Sequence, residues 1–269
     1  MTLEILSPHG FCAGVTGALE LARRHPSAYC LHEIVHNDLV VGELRAHGMT
    51  FVESVDDVPE GETVIFSAHG VSPRVRAAAE ARHLKIVDAT CPFVAKVHRD
   101  ARAFAAKGLA VVVIGHKDHA EVAGIVGEVE RAYIYPDLPP KGARIGVVSQ
   151  TTMCADDVAQ IVENLRRDYI VEAAAHVCHA TKERQDAVKA FDGDALVVLG
   201  GANSSNTRRL AEVARCLAFR AGSLEELKAL DLGDVRRLGL TAGASTPESF
   251  LEEAAKELKE RNKVPCLQQ

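Results

Sequence analysis

Apolar positions along this chain fall into two recurring rhythms, a helical spacing of three and four and a short unbroken apolar run. Val15, Ala18, Leu19 and Ala22 set the first rhythm after Cys12 and predict an amphipathic helix. Leu3 to Leu6 predicts a short strand that opens this first unit. The run Tyr29 to Val35 predicts a strand ending at His36, and Leu39, Val40 and Leu44 a second helix that stops near Gly48. Val64 to Phe66 predicts a later strand leading to His69-Gly70. Ser72-Pro73 then reads as an N-cap with proline at the first helical position.

The same order of elements returns twice. Cys91-Pro92 opens a helix carrying Phe93, Val94, Val97, Ala101 and Phe104. The strand Ala110 to Ile114, a later strand Ile145 to Val148, and a helix with Val158, Ile161, Val162 and Leu165 follow. Cys178 opens the third copy, with strand Ala195 to Leu199, loop Gly200 to Asn206, strand Leu238 to Leu240, and Thr246-Pro247 ahead of a last helix. The three cysteines lie about 80 and 87 residues apart, so the chain reads as three copies of one α/β unit. The expected divisions are 1–90, 91–177 and 178–269.

Strands alternating with helices of this length indicate mostly parallel sheets with right-handed crossovers. Runs such as Val111 to Ile114 and Leu196 to Leu199 suit strands covered on both faces. Ligands in such sheets gather beyond the carboxyl ends of the strands. Each unit brings one thiol and two polar loops to such ends. The first loops are His36-Asn37, His119-Ala120-Glu121 and Ser204-Ser205-Asn206; the second are Ser67 to Gly70, Ser149 to Thr152 and Thr241 to Ser245. Pseudo-threefold packing would bring the three thiols to one point.

Composition narrows the function classes. A net charge of −6 argues against a nucleic-acid partner, and an aromatic content of 4% against a base-stacking platform. No apolar run approaches the roughly 18 residues of a membrane span, and the first residues lack a basic leader, so a cytoplasmic protein is expected. Seven cysteines without a pairing pattern argue against an oxidising compartment.

Cys12, Cys91 and Cys178 each stand where a helix begins, so unpaired N–H groups and the helix dipole favour the thiolate. Three such thiolates suit an iron–sulfur cluster. On a four-iron cluster they leave one iron without a protein ligand. Zinc held by three cysteines is the competing donor chemistry, although the paired C-x-x-C spacing of many structural zinc sites is absent. Cys30 is expected within a strand, Cys216 within a helix and Cys266 in the tail; with Cys154 they are expected to be structural. His36, His69, His119, Ser204, Asn206 and Ser245 offer imidazoles, hydroxyls and an amide beside helix starts, a set that suits phosphate or diphosphate. No nucleotide P-loop or dinucleotide glycine motif is present. Glu121 could relay a proton if burial raises its pKa, and Thr151 could hydrogen-bond a substrate oxygen and pass the proton along; a plain dipole-complementing carboxylate is the alternative for Glu121. His116 is expected to support its loop, and His25, His47, His83 and His98 to be surface or helix residues.

Taken together, these residues resemble the 4-hydroxy-3-methylbut-2-enyl diphosphate reductases, the IspH/LytB family. The resemblance rests on Gly10 to Val15, His32 to Asn37, Phe66 to Val71, Asp88 to Pro92, Gly115 to Val122, Gln150 to Thr152, Ala180-Thr181 with Arg184-Gln185, Asn203 to Asn206, and Thr241 to Ser245. It implies a trefoil arrangement of the three units around a central 4Fe-4S cluster held by Cys12, Cys91 and Cys178, one iron remaining unligated by protein. It further implies that His36, His69, His119, Ser204, Ser205, Asn206 and Ser245 bind the diphosphate, that Glu121 delivers protons, and that Thr151 stands near the substrate hydroxyl. The implied reaction is a two-electron reductive dehydroxylation of an allylic diphosphate to isopentenyl and dimethylallyl diphosphates, the last step of the non-mevalonate isoprenoid route, with reduced ferredoxin or flavodoxin as electron donor. Ala120, where the family often has proline, and His179, where many members have tyrosine, depart from the pattern without removing a ligand. Two other readings compete: a non-catalytic iron–sulfur redox sensor, and a zinc-dependent hydrolase of a phosphorylated substrate.

Overall fold

A computed structural model describes residues 1–261 of the chain. The first third runs β1 (Thr2–Ile5), α1 (Ala13–Arg24), β2 (Tyr29–Leu31), α2 (Asp38–Ala46), β3 (Thr50–Val52), β4 (Thr63–Phe66), α3 (Pro73–Ala81) and β5 (Lys85–Asp88). The middle third runs α4 (Pro92–Ala106), β6 (Ala110–Ile114), α5 (Ala120–Val126), β7 (Ala132–Ile134), β8 (Arg144–Ser149), α6 (Ala155–Leu165) and β9 (Ile170–Ala174). The last third runs α7 (His179–Ala190), β10 (Ala195–Leu199), α8 (Ser205–Glu212), β11 (Leu217–Ala221), α9 (Leu224–Ala229), β12 (Arg237–Ala242) and α10 (Glu248–Arg261).

These strands form three four-stranded sheets, in the orders β3-β2-β4-β5, β7-β6-β8-β9 and β11-β10-β12-β1. Every pairing is parallel. The three orders are one pattern. In each sheet, the edge strand on one side is the strand that runs into a cysteine: β5 into Cys91, β9 into Cys178, and β1 into Cys12. The strand expected to open the first unit therefore pairs elsewhere. β1 lies against β12, from Thr2 opposite Arg237 to Ile5 opposite Leu240. It fills in the third sheet the place that β5 and β9 fill in the other two.

By contacts, the described chain separates into two compact units. One contains Met1–Cys12, His36–Val40 and the described residues from His179 onward, and holds the β1 sheet. Its core follows from the fully buried run of β10. Ala195, Val197 and Leu199 point to one face, where they meet Phe250, Leu251, Ala254 and Leu258 of α10 and Leu227 of α9. Leu196 and Val198 point to the other, against Val188 and Phe191 of the α7 region and Leu210 of α8. A strand alternates its side chains between faces, so an unbroken apolar run is what two helical layers require.

The other unit contains Ala13–Val35 and Val41–Cys178 and holds the remaining two sheets. β6 is divided in the same way. Val111 and Val113 pack with Val97, Ala101 and Phe104 of α4 and with Val122 and Ile125 of α5. Val112 and Ile114 pack with Val158, Val162 and Leu165 of α6. Gly146 of β8 allows α4 to come close: a Cβ there would sit 2.3 Å from the Phe104 ring. In the remaining sheet, Leu31, Val64 and Phe66 bury against Ala79 of α3 and Leu84. No helix among the described residues is long and apolar enough to cross a membrane.

Leu196 is completely buried in the central strand β10. Leu196→Ala is expected to cost about 2–5 kcal/mol of unfolding free energy in chemical denaturation; a loss below about 1 kcal/mol would contradict this packing.

Candidate active site

Each of the three cysteines is fixed by its own backbone. The N–H of Cys12 donates to the carbonyl of Ala244 (3.2 Å), that of Cys91 to Ala68 (3.0 Å), and that of Cys178 to Thr151 (3.0 Å). Each acceptor lies in a second polar loop, and always that of the preceding copy, with the first copy tied to the third. The helix following each cysteine starts at the next residue. All three thiols are half-buried, and no described cysteine is in a disulfide. That donor set fits iron–sulfur ligation.

In the unit containing Cys12, the loop before the cysteine is gripped by Arg184 of α7. This buried guanidinium donates to the carbonyls of Gly10 (2.7 Å), His9 (3.4 Å) and Ala180 (2.8 Å). In the sequence Arg184 stands in the Ala180–Gln185 stretch with no role attached; the available signal is a charged residue at a core-facing helical position. His36 and the start of α2 lie in this same unit. Asn37 is buried, and its Oδ1 accepts from the N–H groups of Leu39 (3.1 Å) and Val40 (3.3 Å). The Ser245 hydroxyl donates to the carbonyl of His36 (3.3 Å). Gly201 passes so close to that carbonyl that a Cβ would sit 2.8 Å from it.

The loop after β10 turns at Gly200, whose φ of 147° lies where L side chains are strained. Ser204 then caps α8, its Oγ accepting from the Thr207 N–H (3.2 Å). Ser205 and Asn206 follow in the first turn, both buried. Neither the oxygen nor the nitrogen of the Asn206 amide has a hydrogen-bond partner among the described residues. A buried amide with both ends unsatisfied calls for a polar ligand.

The other unit brings together Cys91, His69, His119, Glu121, Thr151 and Cys178. Ser67 Oγ and His69 Nδ1 are hydrogen-bonded at 3.1 Å. The His69 and His119 rings meet edge to face, their centroids 5.5 Å apart. His119 caps α5, its Nδ1 accepting from the Glu121 N–H at 3.1 Å. A neutral His119 with Nδ1 as acceptor carries its proton on Nε2, which makes that nitrogen a donor. The Gln150 Oε1 accepts from the His116 N–H (3.0 Å), so His116 supports the loop through its backbone.

Glu121 is buried beneath this loop, and both of its oxygens are engaged by one residue. The Thr151 N–H donates to Oε1 (2.7 Å) and the Thr151 hydroxyl to Oε2 (3.1 Å). Burial pushes the Glu121 carboxyl up to about 7, against the opposing pull of these two hydrogen bonds. A carboxyl in that range holds a proton near neutral pH and can release it, as a general acid must.

Other expectations need correction. Cys216 is not in a helix: α8 ends at Glu212, and Cys216 sits in a bend directly before β11. His98 lies in a helix, as one of the two expected placements has it, on the buried face of α4 and paired with Glu128. Cys30 is buried in β2 as expected, and burial pushes its thiol up to about 12. Cys154 is buried at the start of α6. Cys266 lies outside the described residues.

Comparison with known proteins gives concordant matches. Residues 3–259 match the model of the family described as LytB protein. The 4-hydroxy-3-methylbut-2-enyl diphosphate reductase of Phenylobacterium zucineum is 42% identical, the match covering 98% of this chain and 91% of that one. The enzyme of the same name from Aromatoleum aromaticum is 44% identical, with 96% and 90% covered. Among solved structures, the E-1-hydroxy-2-methyl-but-2-enyl-4-diphosphate reductase of Plasmodium falciparum superposes with a TM-score of 0.89 at 33% identity, covering 96% of this chain and 87% of that one. A structure described as (E)-4-hydroxy-3-methyl-but-2-enyl diphosphate reductase, the terminal enzyme of the non-mevalonate pathway, gives a TM-score of 0.68 at 30% identity, with 97% and 100% covered.

The raised Glu121 pKa has a stability consequence of definite sign. The folded value, about 7, lies above the unconstrained value of 4.5. Its stabilising contribution is therefore complete below pH 4.5 and is lost as pH rises through about 7. The stability of the native sequence relative to Glu121→Gln, measured by chemical denaturation, should fall over that window and level off above it. A difference independent of pH would place the carboxyl at an ordinary value.

Proposed function

The chain belongs to the LytB protein family, and from that premise we propose that it is a 4-hydroxy-3-methylbut-2-enyl diphosphate reductase, as its relatives are named. The observation that carries this reading is the buried Glu121 carboxyl, held on both oxygens by Thr151, whose own carbonyl fixes Cys178. In the reaction, the C–O bond of the allylic alcohol breaks, and two electrons and two protons are taken up. Water leaves, and isopentenyl or dimethylallyl diphosphate remains.

The family implies an iron–sulfur cofactor, and the three thiols suit it. We assign Cys12, Cys91 and Cys178 as ligands of a 4Fe-4S cluster with one iron not ligated by protein. This rests on the threefold reading of the chain as 1–90, 91–177 and 178–269, each part bringing one thiol. When bound, the cluster supplies the electrons and a Lewis-acidic iron. Reduced ferredoxin or flavodoxin is the electron donor we assign.

The protein's own groups do the rest. His36, His69, His119, Ser204, Ser205, Asn206 and Ser245 bind the diphosphate. The Nε2–H of His119 and the amide of Asn206 are donors suited to phosphate oxygens. Glu121 gives its proton to Thr151 Oγ1, which passes its own to the departing oxygen, so the leaving group departs as water rather than hydroxide. The sensor reading accounts for the thiols but leaves the Glu121–Thr151 pair and the unsatisfied Asn206 amide without a role.

Protein purified without oxygen and supplied with a chemical reductant should convert 4-hydroxy-3-methylbut-2-enyl diphosphate to the two C5 diphosphates. Glu121→Gln should lower kcat by about 10²–10⁴-fold. The kcat of the native sequence should fall as pH rises above about 7, where Glu121 loses its proton. A cluster-bearing protein that forms neither product would overturn the assignment.

A further inference from the structure

We propose that His98, anchored by Glu128, is a positioning residue that fixes the His69 loop against the helix carrying Glu121. The inference rests on the reductase reading and adds to it a residue that touches neither substrate nor cluster. All of the groups involved lie in the unit that contains Cys91.

His98 sits on the buried face of α4 with Val94, Val97 and Ala101. Its Nδ1 and Glu128 Oε1 are 2.7 Å apart, and Arg102 Nη1, one turn further along α4, donates to Glu128 Oε2 at 2.6 Å. The Glu128 side chain is only 5% exposed, so two neighbouring side chains of one helix hold a buried carboxylate from both oxygens. An ionised Glu128 places the imidazole proton on Nδ1 and fixes the orientation of the ring.

The far edge of that ring enters a gap made by two glycines. A Cβ on Gly70 would sit 3.1 Å from Nε2; a Cβ on Gly124 would sit 3.1 Å from Cε1 and 3.3 Å from Nε2. Gly124 is also close to the Gly70 carbonyl, at 3.5 Å from the same Cβ position. Gly70 directly follows His69, and Gly124 lies on α5 nearly one turn beyond Glu121. The imidazole therefore stands where side chains would otherwise separate the loop from the helix, and it sets their spacing. Nε2 itself has no hydrogen-bond partner among the described residues. A cavity of about 350 Å³, lined by Gly70, Thr90, His98, Arg102 and Glu128 among others, lies beside it. The shape of the ring and its Nδ1 anchor carry the role, not a bond from Nε2.

The test is a double-mutant cycle on the cluster-loaded enzyme, reading kcat, KM, and calorimetric Kd for inorganic pyrophosphate. His98→Ala should raise KM and pyrophosphate Kd by about tenfold each and lower kcat, with iron content unchanged. His98→Asn, whose amide nitrogen can replace Nδ1 toward Glu128, should recover most of the loss. Gly124→Ala should be costly alone but at least about fivefold less so beside His98→Ala or His98→Asn, where the ring has been removed. If His98→Ala does not fold, the comparison of Gly124→Ala with and without His98→Asn gives the same coupling. Effects that simply multiply, or a His98→Ala enzyme equal to the native one, would overturn the proposal. A native enzyme that neither binds pyrophosphate nor turns over would overturn the reductase reading beneath it.

Discussion

Three backbone hydrogen bonds set the terms for the rest of this structure: the N–H of Cys12 to Ala244, of Cys91 to Ala68, and of Cys178 to Thr151. A cysteine after a parallel strand could wander with its loop. Here it is stitched to the loop after a neighbouring strand, and the stitch is possible because the strand before each cysteine is hydrogen-bonded beside that neighbour. β5 lies next to β4, β9 next to β8, and β1 next to β12. The thiol is thereby held at the carboxyl end of a sheet while a helix begins behind it. Burial of both faces of β6 and β10 gives those sheets the rigidity that the stitch requires.

The loop that fixes Cys178 also holds the buried carboxyl. Thr151 does both. Its N–H and hydroxyl hold Glu121, while its carbonyl holds Cys178. Glu121 is costly to bury as a carboxylate, and that cost is what raises its pKa to about 7. The fold accepts a poorly placed charge in exchange for an acid that is still protonated near neutral pH. The Asn206 amide, buried with neither end hydrogen-bonded among the described residues, is a second such concession.

Much of this was legible in the sequence, because the repeat makes each signal appear three times. The cysteines, the polar loops and the inner strands β4, β6, β8, β10 and β12 stood out through long apolar runs next to polar residues. Of the edge strands, only β1 did. Lys85 to Asp88 and Ala132 to Ile134 are short or interrupted by charge, since an edge strand has fewer apolar neighbours to satisfy. The pairing of β1 with β12 was invisible for another reason: local pattern cannot say which sheet a terminal strand joins, and only the comparison with β5 and β9 explains it. His98 fits a helix in the sequence, but a histidine on an apolar helix face carries no sign of its partner. Glu128 is 30 residues away, and the two glycines that admit the ring look like ordinary turn and helix residues.

We propose that three thiols, one from each copy, act as a single ligand set. Iron and sulfide per chain, with Mössbauer spectra, measured on anaerobic protein and on Cys12→Ser, Cys91→Ser, Cys178→Ser and Cys216→Ser, test it most directly. About four irons and four sulfides are expected in the native protein and in Cys216→Ser, and the same severe loss in each of the other three. A full cluster surviving in any one of Cys12→Ser, Cys91→Ser or Cys178→Ser would contradict it.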